Sequence, residues 1–269
     1  MDNSLKMATH SLPTPPRFIL GADGAVDFDD ASYYHKNFSP STSDSNHFTL
    51  AAWVVPNLND AAVYGEFSFA FAAGKTVGRR RGLQFLQRGT EQMRVTAQTV
   101  ASASNLQLDL PPVLDMGEYN MIAVSGDNSD AVQANRIYTW VHWSATSGLS
   151  FGTAVPSKDL GAPLEFSRAT DAAMGAAKPV TGSWGSLLGG DLAQFFMNDV
   201  FNDFRIQSTR ERIISESPYK SFLNLGPALM HHSGDTGAFA TNHGSLYATA
   251  DVNDVALSDA TAPVPPFTL

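Results

Sequence analysis

Apolar and polar positions alternate with a period of two over many short runs of this chain. Across residues 136–144, Ile137, Thr139, Val141 and Trp143 fall on one side of an extended chain. Tyr138, Trp140 and His142 fall on the other, which is the side-chain pattern of a β-strand. Residues 95–100 alternate in the same way, Val95, Ala97 and Thr99 against Thr96, Gln98 and Val100. Comparable runs lie at 17–20, 24–28, 47–55, 66–71, 82–87, 92–100, 105–110, 119–125, 184–189 and 193–206, separated by turn residues. So many short strands predict an all-β sandwich or barrel. The 136–144 strand is aromatic on both sides, so one face belongs to the core. The other meets a ligand, a partner or another segment of the chain.

One helix is expected, over residues 208–216. Ser208 takes the N-cap place and Glu211 the third helical position, the form of a capping box. Ile213 and Ile214 follow and Pro218 ends the run. Residues 144–183, rich in Gly, Ala, Ser and Pro, read as long loops.

Composition narrows the function classes. The 269 residues carry a net charge of −9 and only 16% charged positions, with no cysteine. Disulfides, thiolate metal sites and cysteine nucleophiles are excluded. The acidic balance argues against nucleic acid or an anionic membrane as partner. No apolar run approaches the ~18 residues of a membrane-spanning helix. Residues 1–18 hold no apolar stretch of the secretory kind, so synthesis in the cytoplasm is expected. Charge is unevenly placed. Lys75, Arg79, Arg80, Arg81, Arg88 and Arg94 face Glu91 alone in one segment, whereas no Lys or Arg follows Lys220.

Catalytic chemistry finds little to work with. Glycoside hydrolysis needs two carboxyl groups flanking the bond, but the six glutamates are scattered and Asp199 and Asp203 form the nearest aspartate pair. No Gly-x-Ser-x-Gly elbow surrounds a serine. His231-His232 and His243 could suggest zinc, but adjacent histidines on a strand point to opposite faces, and all three read as exposed loop residues. Asp27, Asp29 and Asp30, with Asp23 nearby, and the Asp127, Asn128, Asp130 group are candidate calcium ligands, since calcium collects carboxylate and carbonyl oxygens. The same residues are ordinary in turns, the reading favoured here.

Several phrases, in chain order, resemble the laminin G-like branch of the concanavalin A-like superfamily. Ala25-Val26-Asp27-Phe28-Asp29-Asp30 is similar to that family's opening strand. Phe48-Thr49-Leu50-Ala51-Ala52-Trp53-Val54-Val55-Pro56 resembles its "FTLEAWVKP" strand, and Tyr119-Asn120-Met121-Ile122-Ala123-Val124-Ser125 its "WHHVAVTYD" strand. Leu188-Gly189-Gly190 and Phe201-Asn202-Asp203-Phe204-Arg205-Ile206 resemble "IGG … IDEVRIY", with Asn202 in place of the aspartate. The resemblance implies a jelly-roll of two stacked antiparallel sheets. The chain then divides into an extended arm over 1–16, a sandwich over 17–246 and an extended acidic tail over 247–269.

Such folds host lectins, adhesion modules, glycosidases and virion proteins, so the fold does not fix the function. The leading expectation is a non-catalytic structural or accessory subunit of a virion, a capsid decoration or tail component of a phage. It would be a homo-oligomer docking through its arms and sheet faces. The alternative is a carbohydrate-binding lectin or adhesin, with calcium as its one conceivable cofactor. Tyr138, Trp140 and His142 are the candidate ligand face, and Arg79, Arg80 and Arg81 the candidate interface anchors.

Overall fold

A computed structural model describes the backbone of residues 25–29, 34–37, 45–56, 67–72, 82–88, 92–98, 105–110, 120–143, 150–151, 171–174, 189–213, 222–232 and 258–260, and the side chains of 45–53, 121–132, 134–140, 193–213 and 222–232. Fourteen strands are assigned among these residues. They are β1 (Ala25–Asp29), β2 (Tyr34–Asn37), β3 (His47–Pro56), β4 (Phe67–Ala72), β5 (Gly82–Arg88), β6 (Gln92–Gln98) and β7 (Asn105–Leu110). The remainder are β8 (Asn120–Asp127), β9 (Ile137–Trp143), β10 (Ser150–Phe151), β11 (Asp171–Met174), β12 (Gly189–Asn198), β13 (Met230–His232) and β14 (Ser258–Ala260).

Every pairing is antiparallel. One sheet runs β10-β9-β8-β3-β12-β1-β14, with β13 on the edge of β12 beside β1. A second sheet runs β4-β5-β6-β7, and the β2–β11 pair lies alongside β4. The molecule is an all-β fold of antiparallel sheets, as the strand density implied.

The large sheet is apolar on both sides because both are covered. Phe48, Leu50 and Ala52 of β3 alternate with Thr49, Ala51 and Trp53, and all six are at most 1% exposed. The second of these faces is closed by the chain that follows β12. Along it, pairing aligns Trp140, Ala123, Ala51 and Phe196 in one row across four strands. Two methyl side chains between two large rings leave a trough. Phe204 enters beside Trp140, ring centroids 5.9 Å apart, and Phe222 beside Phe196 at 6.4 Å. Ile213, Leu225 and Ala228 complete the same core cluster. Such tilted aromatic pairs add about 0.5–1.5 kcal/mol each beyond their burial.

The next row toward the sheet end is polar: Asn198, Thr49, Ser125 and Tyr138. It fastens the covering segment. Thr49 Oγ1 donates to the carbonyl of Val200 at 2.7 Å, and Ser125 Oγ accepts the Asn202 N–H at 2.8 Å. Buried polar atoms that find partners in this way avoid a desolvation penalty of about 1–3 kcal/mol apiece.

Several boundaries differ from expectation. The strand foreseen at 193–206 ends at Asn198, whose Oδ1 accepts the N–H of Val200 and turns the chain. The helix is a single turn, α1 (Gln207–Arg210), with Ile206 at the N-cap and no side-chain cap bond. Ser208 is therefore not its cap, and Glu211 instead accepts a bond from Gln207 Nε2 at 2.7 Å. Residues 258–260, within the extended tail expected over 247–269, form the edge strand β14 on β1, where an extended segment satisfies the open edge. His231 and His232 are buried on β13 opposite Phe196 and Phe195, not exposed in a loop. The arm over 1–16 lies outside the described residues.

Candidate functional site

The polar row ends at Tyr138, and here two loops meet at the rim of the sheet. One joins β8 to β9, residues 128–136; the other follows β12, residues 199–206. In the first, Asp127 Oδ1 accepts the backbone N–H and the hydroxyl of Ser129, and Asp130 Oδ1 accepts the N–H of Val132 at 2.7 Å. These are Asx turns. Arg136 Nε donates to the carbonyl of Asp130 at 2.9 Å and closes the loop. His47 Nε2 stands 3.2 Å from the Asp127 carboxylate. Burial pushes the Asp127 carboxyl up, but the Ser129 bonds and the neighbouring His47 together outweigh it and hold the pKa below the usual range.

In the second loop Asp203 and Arg205 form a paired, two-bond contact. Arg205 Nε donates to Oδ1 at 2.9 Å and Nη2 to Oδ2 at 2.8 Å. Oδ1 also accepts the backbone N–H of Arg205 at 3.0 Å. Asp203 is consequently held below the ordinary carboxylate range, chiefly by the Arg205 bonds. The guanidinium carbon lies 4.1 Å from the centre of the Tyr138 ring. Tyr138 is itself fixed, its hydroxyl donating to Asn135 Oδ1 at 3.0 Å, and Phe201 stands 6.0 Å from its ring. Burial raises the Tyr138 pKa. The Arg205 side chain nevertheless remains 50% exposed.

The expected ligand face is therefore corrected. Trp140 is fully enclosed beneath Phe204, and Tyr138 is 6% exposed beneath Arg205. Of the alternatives for that face, another segment of the same chain occupies it, because its trough of alanines needs aromatic filling. The side chain of His142 lies outside the described residues, as do Arg79, Arg80 and Arg81. Asp27 and Asp29 lie on β1 in register with Asp191 and Gly189, while Asp30 falls outside the description. Among the described residues no three His, Asp or Glu side chains gather as metal ligands. The Asp127 and Asp130 carboxylates instead organise their own loop.

Arg205 and Asp203 carry no sign of their role in composition or periodicity. The signal was the phrase 201–206, where an acid and an arginine two residues apart follow a strand end.

No protein-family model matches the sequence, and no curated protein matches it either. Solved structures do. A heptameric SAP-like pentraxin from Limulus polyphemus superposes with a TM-score of 0.53 at 10% identity, covering 90% of this chain and 96% of the pentraxin. A candidate carbohydrate-binding protein from Bacteroides ovatus gives 0.54 at 9% identity over 91% of this chain and 61% of its own. The LG1-3 region of the laminin alpha2 chain gives 0.49 at 10% identity, covering 66% of this chain and 31% of that one. The chain thus spans less than two thirds of the length of the last two. The first two establish the fold.

Proposed function

We infer that this chain is a non-catalytic binding module whose target is a glycan, taken at the rim formed by the 128–136 and 199–206 loops. The observation that carries the reading is the arrangement of Arg205. It is a hydrogen-bond donor fixed on an aromatic ring by a carboxylate and still half exposed. Exposed Ile206 follows it in the chain and offers an apolar surface beside the polar one. Sugars present the matching combination of hydroxyl and C–H faces. The Bacteroides ovatus protein, a candidate carbohydrate binder of the same fold over 91% of this chain, supports the reading.

The carboxylates at this rim serve as acceptors. Asp203 is committed to Arg205 and Asp127 to Ser129. A general acid must instead hold its proton near neutral pH, and both groups are shifted the opposite way. The direct experiment is a glycan array probed with the purified chain, with calcium and with chelator. Binding that is lost in R205Q is the expected result. No retention on any glycan under either condition overturns the reading.

A second reading, a structural subunit of a virion, rests on the two signs of charge along the sequence. The basic stretch from Lys75 to Arg94 and the Lys- and Arg-free residues 221–269 would be complementary surfaces between copies. Size exclusion and co-purification with particles test it. A stable monomer with glycan affinity discards it.

A further inference from the structure

Asp203 engages only one edge of the Arg205 guanidinium, the Nε–Nη2 edge. The remaining edge carries one hydrogen on Nη1 and one on Nη2, parallel and about 2.3 Å apart by the geometry of the group. Neither Nη1 hydrogen has a partner among the described residues. One face of the plane is closed by Tyr138, and half of the side chain stays open to solvent. A guanidinium fixed in this way loses little conformational freedom on binding. Two parallel N–H groups suit a pair of oxygens held on one atom, as in a carboxylate.

The charges around it are of both signs, with Asp203 and Asp130 the acidic groups that act on Arg205 directly. Residues 203–212 hold Arg205, Arg210 and Arg212 against Asp203 and Glu211, a positive stretch in a chain of net charge −9. Arg210 Nη1 donates to the carbonyls of Phe204 and Arg205, at 2.6 and 2.9 Å, which ties a second guanidinium to the backbone of the same turn. Asp130, across the rim, is the opposing charge. Its Oδ1 is occupied by the Val132 N–H, and its carbonyl by Arg136.

We propose that the Nη1–Nη2 edge of Arg205 receives the carboxylate of an acidic saccharide, with Asp203 as the positioning residue behind it. This rests on the glycan-binding reading above and names its ligand class.

The test uses the full chain on an array of matched pairs, uronate and sialylated oligosaccharides beside their methyl esters. The free acids are expected to bind. Their esters and the R205Q variant are expected to bind about 10- to 100-fold more weakly, the range for losing charge-assisted bonds. R205K keeps the charge but not the parallel pair, so it is expected to fall close to R205Q. D203N is expected to lie between R205K and the unmodified chain, with binding that is more easily removed by salt. Thermal midpoints and near-ultraviolet dichroism of each variant establish folding, and R205K decides if R205Q does not fold. Equal binding of acids and esters, both weakened in R205Q, overturns this proposal and leaves the glycan reading standing, whereas acid binding unchanged in R205Q and R205K removes the rim as the site for both. Binding of no saccharide, charged or neutral, removes both.

Discussion

Asn202 donates from Nδ2 to Thr49 Oγ1 at 3.0 Å, joining residues 153 apart in sequence. The same nitrogen reaches the carbonyl of Leu225 at 3.2 Å, and Oδ1 accepts from Arg212 at 3.4 Å. Asn202 stands where the family phrase has aspartate, and the structure gives the reason. At 3% exposure it faces two acceptors, Thr49 having committed its own proton to Val200. A carboxylate has nothing to donate.

Asn202→Asp is therefore expected to destabilise the fold by about 1–3 kcal/mol at neutral pH, the cost of a carboxylate opposite two acceptors, which Arg212 beside Oδ1 offsets in part. Protonation restores one donor, so the deficit against the unmodified chain should narrow as pH falls toward about 4. Urea denaturation at pH 7 and pH 4 measures it. A deficit that is equal at both values contradicts the donor argument.

Gly126 sits where a side chain has no room. A Cβ built there lies 2.3 Å from Phe48 Cε1 and 2.6 Å from Cζ. Phe48 is fully buried and cannot swing out to solvent. Gly126→Ala is expected to cost about 1–3 kcal/mol through overpacking, read as a lowered denaturation midpoint with an unchanged slope. Adding Phe48→Leu, which frees space, should recover part of that loss.

Acid should loosen the rim before the core. Asp203 and Asp127 have folded pKa values below their ordinary ones. Each contributes stability that is present above the unfolded value of about 3.9. That stability is lost as pH falls through the folded value, where the unfolded chain binds more protons. Arg205 is half exposed, so the Asp203 contribution is at most about 1 kcal/mol. The thermal midpoint of the unmodified chain should fall from pH 5 to pH 2 more steeply than that of the D203N, D127N double variant. Parallel curves would show that these carboxylates do not carry the acid sensitivity.

Trp140 separates a core role from a ligand role. It is fully buried against Phe204, and Trp140→Ala is expected to cost about 3–5 kcal/mol. Trp140→Phe should cost clearly less. A ligand-stacking residue would show the reverse, with binding lost and the denaturation midpoint retained.

Much of the fold was legible because strand signals are local. The alternation at 47–55, 119–125 and 136–144 places β3, β8 and β9 within two residues of their observed ends. The use of each face was not legible. Periodicity says that Tyr138 and Trp140 share a side, but only the pairing of Trp140 with Ala123, and Ala123 with Ala51, reveals the trough. What fills that trough comes from residues 204 and 222, far along the chain. The helix starts within a residue of its expected place, but its cap was misread for a related reason. Ser208 and Glu211 have capping-box spacing, but the long-range bond of Asn202 to Ser125 and the local bond of the Arg205 N–H to Asp203 fix the chain that leads into the turn. The rim site was hidden because one arginine and one aspartate two residues apart are unremarkable until a ring is placed beneath them.

The place of β12 between β3 and β1 bears on how a nascent chain matures. Its neighbours leave the ribosome well over a hundred residues before Gly189 does. Until then β1 and β3 have no bridge, and the aromatic face of β3, β8 and β9 has no cover. Translation must therefore deliver nearly three quarters of these 269 residues before the largest sheet can close. Contacts so distant in sequence slow folding, and a pause upstream of Gly189 would leave Trp53 and Trp140 open to chaperones or to other unfinished copies.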